Sequence, residues 1–265
     1  MRKHISSLSN PLIKHLLLLQ KKSKHRNSYN EFVIEGVQEL SYAIEAKYIL
    51  KQILICPDLY ENEVVLENSE YEIIEISKEI FEKLAYRSTT GGVIAIAESR
   101  NSSLKDLKFK TNTPLILVAE APEKPGNIGA LLRTCDAANL DAVIIANPKT
   151  DLYNPNIIRS SVGTIFTNSI ATGSTSEIID FLKKHNIQIF AAALQESTSY
   201  LKEDFSKPSA IVVGTEHEGL SESWISQASK IIKIPMEGKV DSLNVSVSAA
   251  ILIFEAKRQR LNSKL

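Results

Sequence analysis

The chain has 265 residues, of which 43% are hydrophobic and 23% are charged, with 10 Gly, 9 Pro and 2 Cys. This composition is typical of a globular protein, and it excludes a collagen-like chain, a disulfide scaffold and a mostly disordered chain. The 31 basic and 31 acidic residues leave no net charge, so the total alone gives no sign of a polyanionic partner.

The charge is distributed unevenly along the chain. Residues 1–27 hold seven basic residues and no acidic one, residues 28–98 hold fourteen acidic against five basic residues, and residues 99–265 hold nineteen basic against seventeen acidic. A basic N-terminal segment indicates a polyanionic partner better than the total charge does. A solvated surface helix would explain the same residues.

The apolar segments are short. Leu16 to Leu19 is a run of four leucines, too short for the core of a signal peptide or for a membrane span, which needs about 20 apolar residues. The two cysteines, Cys56 and Cys135, are too few for a disulfide framework and point to a reducing compartment. We therefore expect a cytoplasmic protein that does not insert into a membrane.

The first part of the chain predicts a helical arm and a small α/β domain. Asn10 before Pro11 is a helix start, and leucines then recur at helical spacing within a basic arm over residues 1–27. Beyond the arm, short apolar runs alternate with helical patterns, which predicts an α/β domain over residues 28–98. The predicted strands lie at 31–36, 53–56, 72–76 and 93–97, and the predicted helices at 37–48 and 78–84.

A polar stretch, residues 99–113, is the predicted linker to a second α/β domain over residues 114–265. Near-continuous apolar runs in this domain predict a parallel sheet that is covered on both faces. The predicted strands are 115–118, 142–145, 188–191, 210–213 and 231–234, and the predicted helices are 128–139, 177–185, 221–227 and 245–261.

Three loops at predicted strand ends carry the candidate site residues, because ligands of open α/β sheets lie at the carboxyl ends of the strands. The first loop contains Asn127, which we predict to cap the next helix, and Arg133 follows six residues later. Gly126 and Gly129 allow a tight turn there, although an ordinary strand-to-helix turn would also contain them. The loop lacks the G-x-G-x-x-G spacing of a dinucleotide site.

The second and third loops repeat the pattern of glycine and polar residues. Glu216 and His217 lie between Gly214 and Gly219 directly after a predicted strand, where helix capping would also explain Glu216. Ser242 and Asn244 precede the last helix, where capping would again be sufficient. The presence of three such loops in one half of the chain favours a functional site.

Together the three loops resemble the SpoU (TrmH-type) class of SPOUT RNA methyltransferases. The matching motifs are Pro125-Gly126-Asn127-Ile128-Gly129-Ala130 with Arg133 to Ala138, Val213 to Leu220, and Ile234-Pro235-Met236 with Ser242 to Val247. The match covers residues 113–260, and Phe32 to Gly36 resembles the opening of the family's substrate-binding domain. One difference is Asn139, where the family usually has glycine at a helix end.

The resemblance implies an α/β trefoil-knot domain, an exception to the rule that chains avoid knots. It also implies a homodimer with no metal, which binds S-adenosylmethionine in the knot and methylates a ribose 2′-hydroxyl of RNA. By resemblance Arg133 stabilises the developing alkoxide, because an arginine stays protonated. Backbone groups at Gly214, Ile234 and Leu243 would hold the cofactor.

The resemblance gives supporting roles to the remaining candidates. Asn127 would order the first loop and the ribose or phosphate beside it, and Glu216 would hold Arg133 or the substrate through charge-assisted hydrogen bonds. Ser242 and Asn244 would position Arg133 and the reacting nucleotide.

Several alternatives remain open at this point. We expect ribosomal RNA as the substrate, because a separate substrate domain is more typical of that branch of the family, and tRNA is the alternative. A non-catalytic RNA-binding assembly factor of the same fold is a second possibility. A nucleotide-dependent oxidoreductase is disfavoured, because the sequence has no G-x-G-x-x-G turn followed by an acidic residue.

Overall fold

The computed structural model describes residues 3–61, 71–86, 91–215 and 218–262. These residues form two compact units, one made of Met1–Arg100 and Thr150–Thr167 and the other of Asn101–Lys149 and Asn168–Leu265. In chain order the elements of the first unit are β1 Lys3–Ile5, α1 Pro11–Lys21, α2 Ser23–Tyr29, β2 Glu31–Glu35, α3 Val37–Glu45, β3 Leu50–Ile55, β4 Ile73–Ile76, α4 Lys78–Leu84 and β5 Val93–Glu98.

The second unit continues the alternation of strands and helices, and its sequence is interrupted by one helix of the first unit. Its elements are β6 Leu115–Glu120, α5 Pro125–Ala137, β7 Ala142–Ala146, β8 Ile170–Gly173, α7 Thr175–Lys184, β9 Gln188–Ala192, β10 Thr198–Ser199, β11 Ser209–Val213, α8 Glu222–Gln227, β12 Lys230–Lys233 and α9 Val245–Asn262. The helix α6, Pro155–Ser160, lies between β7 and β8 in the sequence and belongs to the first unit.

The first unit is built on a mixed sheet. Within the described residues its strand order is β1-β4-β3-β5-β2, with β1, β4 and β3 parallel and the pairs β3–β5 and β5–β2 antiparallel. Helices α1 and α4 pack on one face, where their apolar side chains meet those of the strands. The side chains of Ile13, Leu16 and Leu19 are fully buried in this core. The basic arm thus contributes a strand and a helix to this unit.

The segment Thr150–Thr167 completes the other face of the first sheet. Phe32 of β2 is fully buried, and its ring stacks on Tyr153 with centroids 4.2 Å apart and on Phe166 at 6.0 Å. Arg26 forms an ion pair with Asp151 at 2.5 Å and also donates to the carbonyl oxygen of Leu19 at the end of α1. A segment of chain more than 100 residues away in sequence therefore closes this core.

The second unit is built on a parallel sheet. Within the described residues its order is β10-β12-β9-β11-β6-β7-β8, and all neighbouring strands are parallel. One face packs against α7 and α8, with Trp224 fully buried. Leu252 and Ile253 of α9 are buried on the side where α9 packs against α5 and β11. Burial on both faces explains the continuous apolar runs of these strands.

The prediction of an α/β fold with a parallel sheet is confirmed, and the predicted apolar runs correspond to β2–β7, β9, β11 and β12. The strands β1, β8 and β10 were not predicted. The predicted linker lies against the second unit, since Thr172 donates its amide to Ser102 and Lys110 donates its amide to Asp141. Across the described ranges, no helix is long and apolar enough to cross a bilayer.

Candidate active site

A cavity of about 690 Å³ opens in the second unit at the carboxyl ends of three adjacent strands, β9, β11 and β12. This is the edge at which an open α/β sheet binds its ligands. Its lining comes from the segments that follow these strands and from the start of α9. The lining residues are Ala192 to Glu196, Val213 to Thr215, Glu218 to Leu220, Glu222, Ile225, Ile232 to Ile234, Met236, Asp241 to Leu243, Val245, Ser248 and Leu252.

The loop after β11 folds back on itself at the cavity wall. Thr215 and Gly219 exchange backbone hydrogen bonds of 3.0 and 3.2 Å. A Cβ atom on Gly214 would lie 2.1 Å from the carbonyl carbon and oxygen of Gly219 and 2.5 Å from the amide nitrogen of Leu220. Because backbone atoms cannot move aside as a side chain can, position 214 accepts only glycine in this arrangement. The predicted cofactor residue Gly214 thus sets the shape of the wall.

The end of this loop is anchored by Glu120, a residue that the sequence analysis missed. Glu120 is the last residue of β6 and is only 6% exposed. Its carboxylate accepts hydrogen bonds from the amide and hydroxyl of Ser221, both at 2.8 Å, and from the hydroxyl of Thr175 at 3.0 Å. The sequence signal for Glu120 was an acidic residue at the end of an apolar run. A carboxylate that is buried at such a position needs hydrogen-bond donors.

The third loop connects the cavity to α5. Ser242 lines the cavity and donates its hydroxyl to Asp241 at 3.2 Å, and Leu243 lines it beside them. Asn244 begins α9, where its side-chain oxygen accepts from the amide of Ser246 at 2.9 Å, so capping does account for part of its role. The amide group of Asn244 also donates to the side-chain oxygen of Asn127 at 3.3 Å. The predicted residues of the first and third loops are therefore in direct contact.

Asn127 itself is not the cap of its helix, and that prediction is wrong. The helix α5 begins earlier: Lys124 is its N-cap residue and Pro125 occupies the first turn. Proline fits there because its backbone angle is already helical and the missing N–H would be unpaired anyway. Asn127 consequently lies in the first turn, where its side chain contacts Asn244.

Arg133 lies on α5, about a turn and a half beyond Asn127. Its side chain is exposed, and no hydrogen bond or ion pair joins it to the described part of the chain. Glu216 and His217 fall outside the described residues. Their neighbours Thr215 and Glu218 both line the cavity.

The cysteine on α5 is unsuited to act as a nucleophile. Cys135 is fully buried on α5, and burial raises the pKa of its thiol, so the thiol stays protonated. Within residues 3–61, 71–86, 91–215 and 218–262, no group of three His, Cys, Asp or Glu side chains is placed to hold a metal ion. Among the described residues, the groups that can take part in chemistry are the exposed Arg133, the amides of Asn127 and Asn244, and the polar rim of the cavity.

Two family models match the chain. The model of the SpoU rRNA Methylase family matches residues 114–254, which include the cavity, α5 and the start of α9. The chain belongs to the SpoU rRNA methylase family. The model of the MRM3-like substrate binding domain matches residues 10–95, which lie in the first unit. The family resemblance found in the sequence is confirmed for this SpoU member.

Individual relatives match nearly the whole of this SpoU methylase. The 23S rRNA (guanosine(2553)-2′-O)-methyltransferase RlmP of Bacillus subtilis (strain 168) is 29% identical and covers 96% of this chain and 99% of its own. The crystal structure of an RNA 2′-O ribose methyltransferase is 40% identical, with a TM-score of 0.84 over 97% of this chain and 99% of that one. An AdoMet-bound rRNA methyltransferase from Sinorhizobium meliloti is 27% identical, with a TM-score of 0.87 and 97% coverage of both chains.

Proposed function

We propose that this SpoU methylase transfers a methyl group from S-adenosylmethionine to a ribose 2′-hydroxyl of ribosomal RNA. The observation that carries the proposal is the hydrogen bond between Asn244 and Asn127. It ties the loop that lines the cavity to the first turn of α5, the helix that also carries the exposed Arg133. Family membership and relatives that act on RNA support the same activity.

The residues of the cavity fit the cofactor. Its volume of about 690 Å³ is in the range of small-molecule sites. Leu220, Ile234 and Leu243 offer apolar surface to an adenine ring, while Glu218 and Asp241 place carboxylates where a cationic ligand would be favoured. Gly214, Ile234 and Leu243 would hold the cofactor largely through backbone groups. When bound, S-adenosylmethionine supplies a methyl group on a positively charged sulfur, which is already a good electrophile.

The protein's own contribution is to position the hydroxyl and to stabilise the charge that develops on its oxygen. A guanidinium stays protonated, so Arg133 donates hydrogen bonds to that oxygen, and the hydroxyl proton passes to solvent water as the bond to the methyl carbon forms. Its side chain is exposed and can reach an incoming nucleotide. The hydrogen bond between Asn127 and Asn244 fixes the start of α5 relative to the loop that precedes α9. Ser242 offers a hydroxyl at the rim of the cavity. We assign to Glu216 the role of holding Arg133 or the substrate through charge-assisted hydrogen bonds.

Ribosomal RNA is favoured because the relative RlmP covers both units of the chain, including the region matched by the substrate binding domain. Transfer RNA (tRNA) remains the alternative substrate, and a non-catalytic assembly factor is the alternative role. The decisive experiment supplies tritiated-methyl S-adenosylmethionine with rRNA or tRNA from a strain that lacks this gene. Label in rRNA at a 2′-O position, mapped against the parent strain, supports the proposal. Label in tRNA alone overturns the rRNA assignment.

Absence of transfer to either RNA would contradict the enzymatic proposal itself. Calorimetry with S-adenosylmethionine then separates the two remaining cases. Cofactor binding without transfer overturns methyl transfer to these RNAs but supports the cavity as the cofactor site. No cofactor binding supports an assembly factor that retains the fold. The proposal places the protein in the cytoplasm and requires no metal ion.

We also propose a homodimer and a trefoil knot, as the resemblance implies. Helix α9 carries Val247, Phe254 and Leu261 at intervals of seven residues, and these side chains are 46%, 50% and 62% exposed. An apolar stripe of this spacing on a helix is typical of a surface that packs against another helix. Replacement of Phe254 by glutamate is expected to yield a monomer in sedimentation analysis, whereas a monomeric parent protein would contradict the dimer.

A further inference from the structure

Three aromatic rings form a cluster on the first unit that the proposed catalytic site does not use. His15 of α1 and His25 and Tyr29 of α2 lie with their ring centroids 4.5 to 5.0 Å apart. The Tyr29 side chain is 54% exposed, and both histidines are partly exposed. The sequence analysis missed this cluster because its members belong to two different helices.

The turn between the helices brings these rings together. Lys22 ends α1 and precedes α2 in an extended conformation, with φ −127° and ψ 113°. The chain direction therefore changes at Lys22, and α2 places His25 beside a residue ten positions earlier. Arg26, on the same short helix, is buried and fixed by Asp151 and the carbonyl oxygen of Leu19. The contacts of Arg26 thus fix the buried side of α2, and Tyr29 lies on the exposed side of the same helix.

A chain of hydrogen bonds fixes the two imidazole rings. Nε2 of His15 lies 2.7 Å from Oε2 of Glu31, and Nε2 of His25 lies 2.9 Å from Nδ1 of His15. An ionised carboxylate only accepts, so His15 donates from Nε2, and when neutral it accepts at Nδ1 from His25. His25 then keeps Nδ1 as an acceptor. Burial and the neighbouring His15 lower the pKa of His25, which favours this neutral form.

The surroundings of the cluster are basic. Lys14 on α1 and Lys21, Lys22 and Lys24 around the turn are exposed, and the charge of Lys22 is close enough to lower the pKa of His25. The nearby carboxylates are paired: Lys51 bonds Glu31 at 2.7 Å and Glu98 at 3.4 Å. The exposed groups therefore combine stacking rings with positive charge, the combination that binds single-stranded nucleic acid.

We propose that Tyr29 and His25 stack against an unpaired base of the substrate RNA, while the exposed lysines of α1 and α2 contact the flanking phosphates. This inference rests on the proposed function, which supplies RNA as the partner. Stacking on an exposed ring requires a base that is not enclosed in a duplex. The cluster therefore directs the enzyme to a loop, a bulge or a strand that is still unpaired.

The test measures RNA binding to the full-length protein by fluorescence anisotropy. One probe is fluorescein-labelled single-stranded oligoadenylate of about 12 nucleotides, and the other is a labelled duplex of the same length. Tyr29→Ala is expected to weaken binding of the single strand about tenfold and to leave duplex binding unchanged. Tyr29→Phe keeps the ring and should retain the parent affinity. Asn27→Ala, at an exposed position of the same helix, is the matched control.

Charge is tested separately from stacking. Lys22→Ala should reduce the slope of log affinity against log salt by about one, whereas Lys184→Ala, at an exposed position of α7 in the second unit, should not. Equal single-strand affinities of Tyr29→Ala and Asn27→Ala, with unchanged thermal unfolding, would overturn the inference. Equal losses for single strand and duplex would also overturn it, because they would show that no base is stacked.

The proposed function can fail independently of this inference. If the parent protein methylates no RNA but Tyr29→Ala selectively loses single-strand affinity, the cluster is supported and the catalytic proposal is not. If methylation is found and Tyr29→Ala raises neither the KM for RNA nor the dissociation constant, the cluster is rejected while the catalytic proposal stands. Calorimetry with S-adenosylmethionine should give the same affinity for Tyr29→Ala and the parent.

Discussion

The buried carboxylate of Glu120 holds Ser221 through two hydrogen bonds of 2.8 Å, one from the amide and one from the hydroxyl. Ser221 follows Leu220, which lines the cavity, and is the N-cap residue of α8. The Glu120 carboxylate therefore fixes the point at which the loop after β11 enters the next helix. A third bond, from Thr175, connects the same carboxylate to the start of α7.

Replacing Glu120 by glutamine should loosen this anchor. The amide group would place a donor against donors and leave buried polar groups unpaired, which costs about 1–3 kcal/mol of unfolding free energy. Calorimetry should show weaker binding of S-adenosylmethionine, and denaturant unfolding should show the lower stability. Glu123→Gln is the control, because Glu123 is exposed. Identical stability and cofactor affinity in the two variants would contradict this role.

A methyl group at position 214 should distort the cavity. Gly214→Ala would place its Cβ 2.1 Å from the backbone of Gly219, so the folded-back loop must open. We expect binding of S-adenosylmethionine to weaken about tenfold or more, because overpacking costs about 1–3 kcal/mol. Gly238→Ala is the matched control, since no atom lies within 4 Å of its added Cβ. A Gly214→Ala protein with parent affinity in calorimetry would refute the argument.

Two substitutions at Asn244 separate its capping role from its contact with α5. Asn244→Asp keeps the oxygen that accepts from Ser246 but loses the amide that donates to Asn127. It should retain most of the thermal stability and lose methyl-transfer activity. Asn244→Ala loses the cap as well and should cost about 1 kcal/mol of stability. If Asn244→Asp is fully active with the RNA substrate, the contact with Asn127 has no positioning role.

Arg133 should contribute to the chemical step and not to cofactor binding. Removing one donor that stabilises a developing oxyanion lowers kcat by about 10²–10³, and we expect a loss of this size for Arg133→Ala. Binding of S-adenosylmethionine, measured by calorimetry, should be unchanged because Arg133 is not part of the cavity lining. Lys149→Ala removes an exposed charge from the same unit and should remain active. Retention of full activity by Arg133→Ala would eliminate the assigned role.

The carboxylate of Glu31 should make the stability of the first unit depend on pH. Burial disfavours its ionisation, but hydrogen bonds from Lys51 and His15 outweigh this effect and lower its pKa. Its stabilising contribution is thus complete above the pKa of glutamate in the unfolded chain and is lost as the pH falls through the lower folded value. Denaturant unfolding between about pH 6 and pH 3 should show a steeper loss for the parent than for Glu31→Gln. An equal dependence of unfolding free energy on pH in the two proteins would contradict this role of the Glu31 carboxylate.

The local sequence pattern was sufficient to predict most strands of the second unit, because these strands are buried on both faces and must be apolar throughout. The same logic located the three loops, since ligand sites follow strand ends. It could not place β1, whose three residues include two exposed polar ones at a sheet edge. It also misplaced the start of α5, where Pro125 begins the helix before Asn127.

Contacts distant in sequence account for the remaining differences. Glu120 was visible only as a charge after an apolar run, because its donors lie 55 and 101 residues later. The rings of His15, His25 and Tyr29 form a surface only after the turn at Lys22 folds one helix beside the other. Such pairings depend on the completed fold and leave no periodic signal in the sequence.

The return of Thr150–Thr167 to the first unit has a consequence for synthesis on the ribosome. Phe32 emerges early, but the rings that cover it, Tyr153 and Phe166, are made more than 100 residues later. The aromatic face of the first sheet therefore stays uncovered while β6, α5 and β7 are translated. During this interval the nascent chain exposes apolar surface, and such surface makes a partly folded chain prone to aggregate.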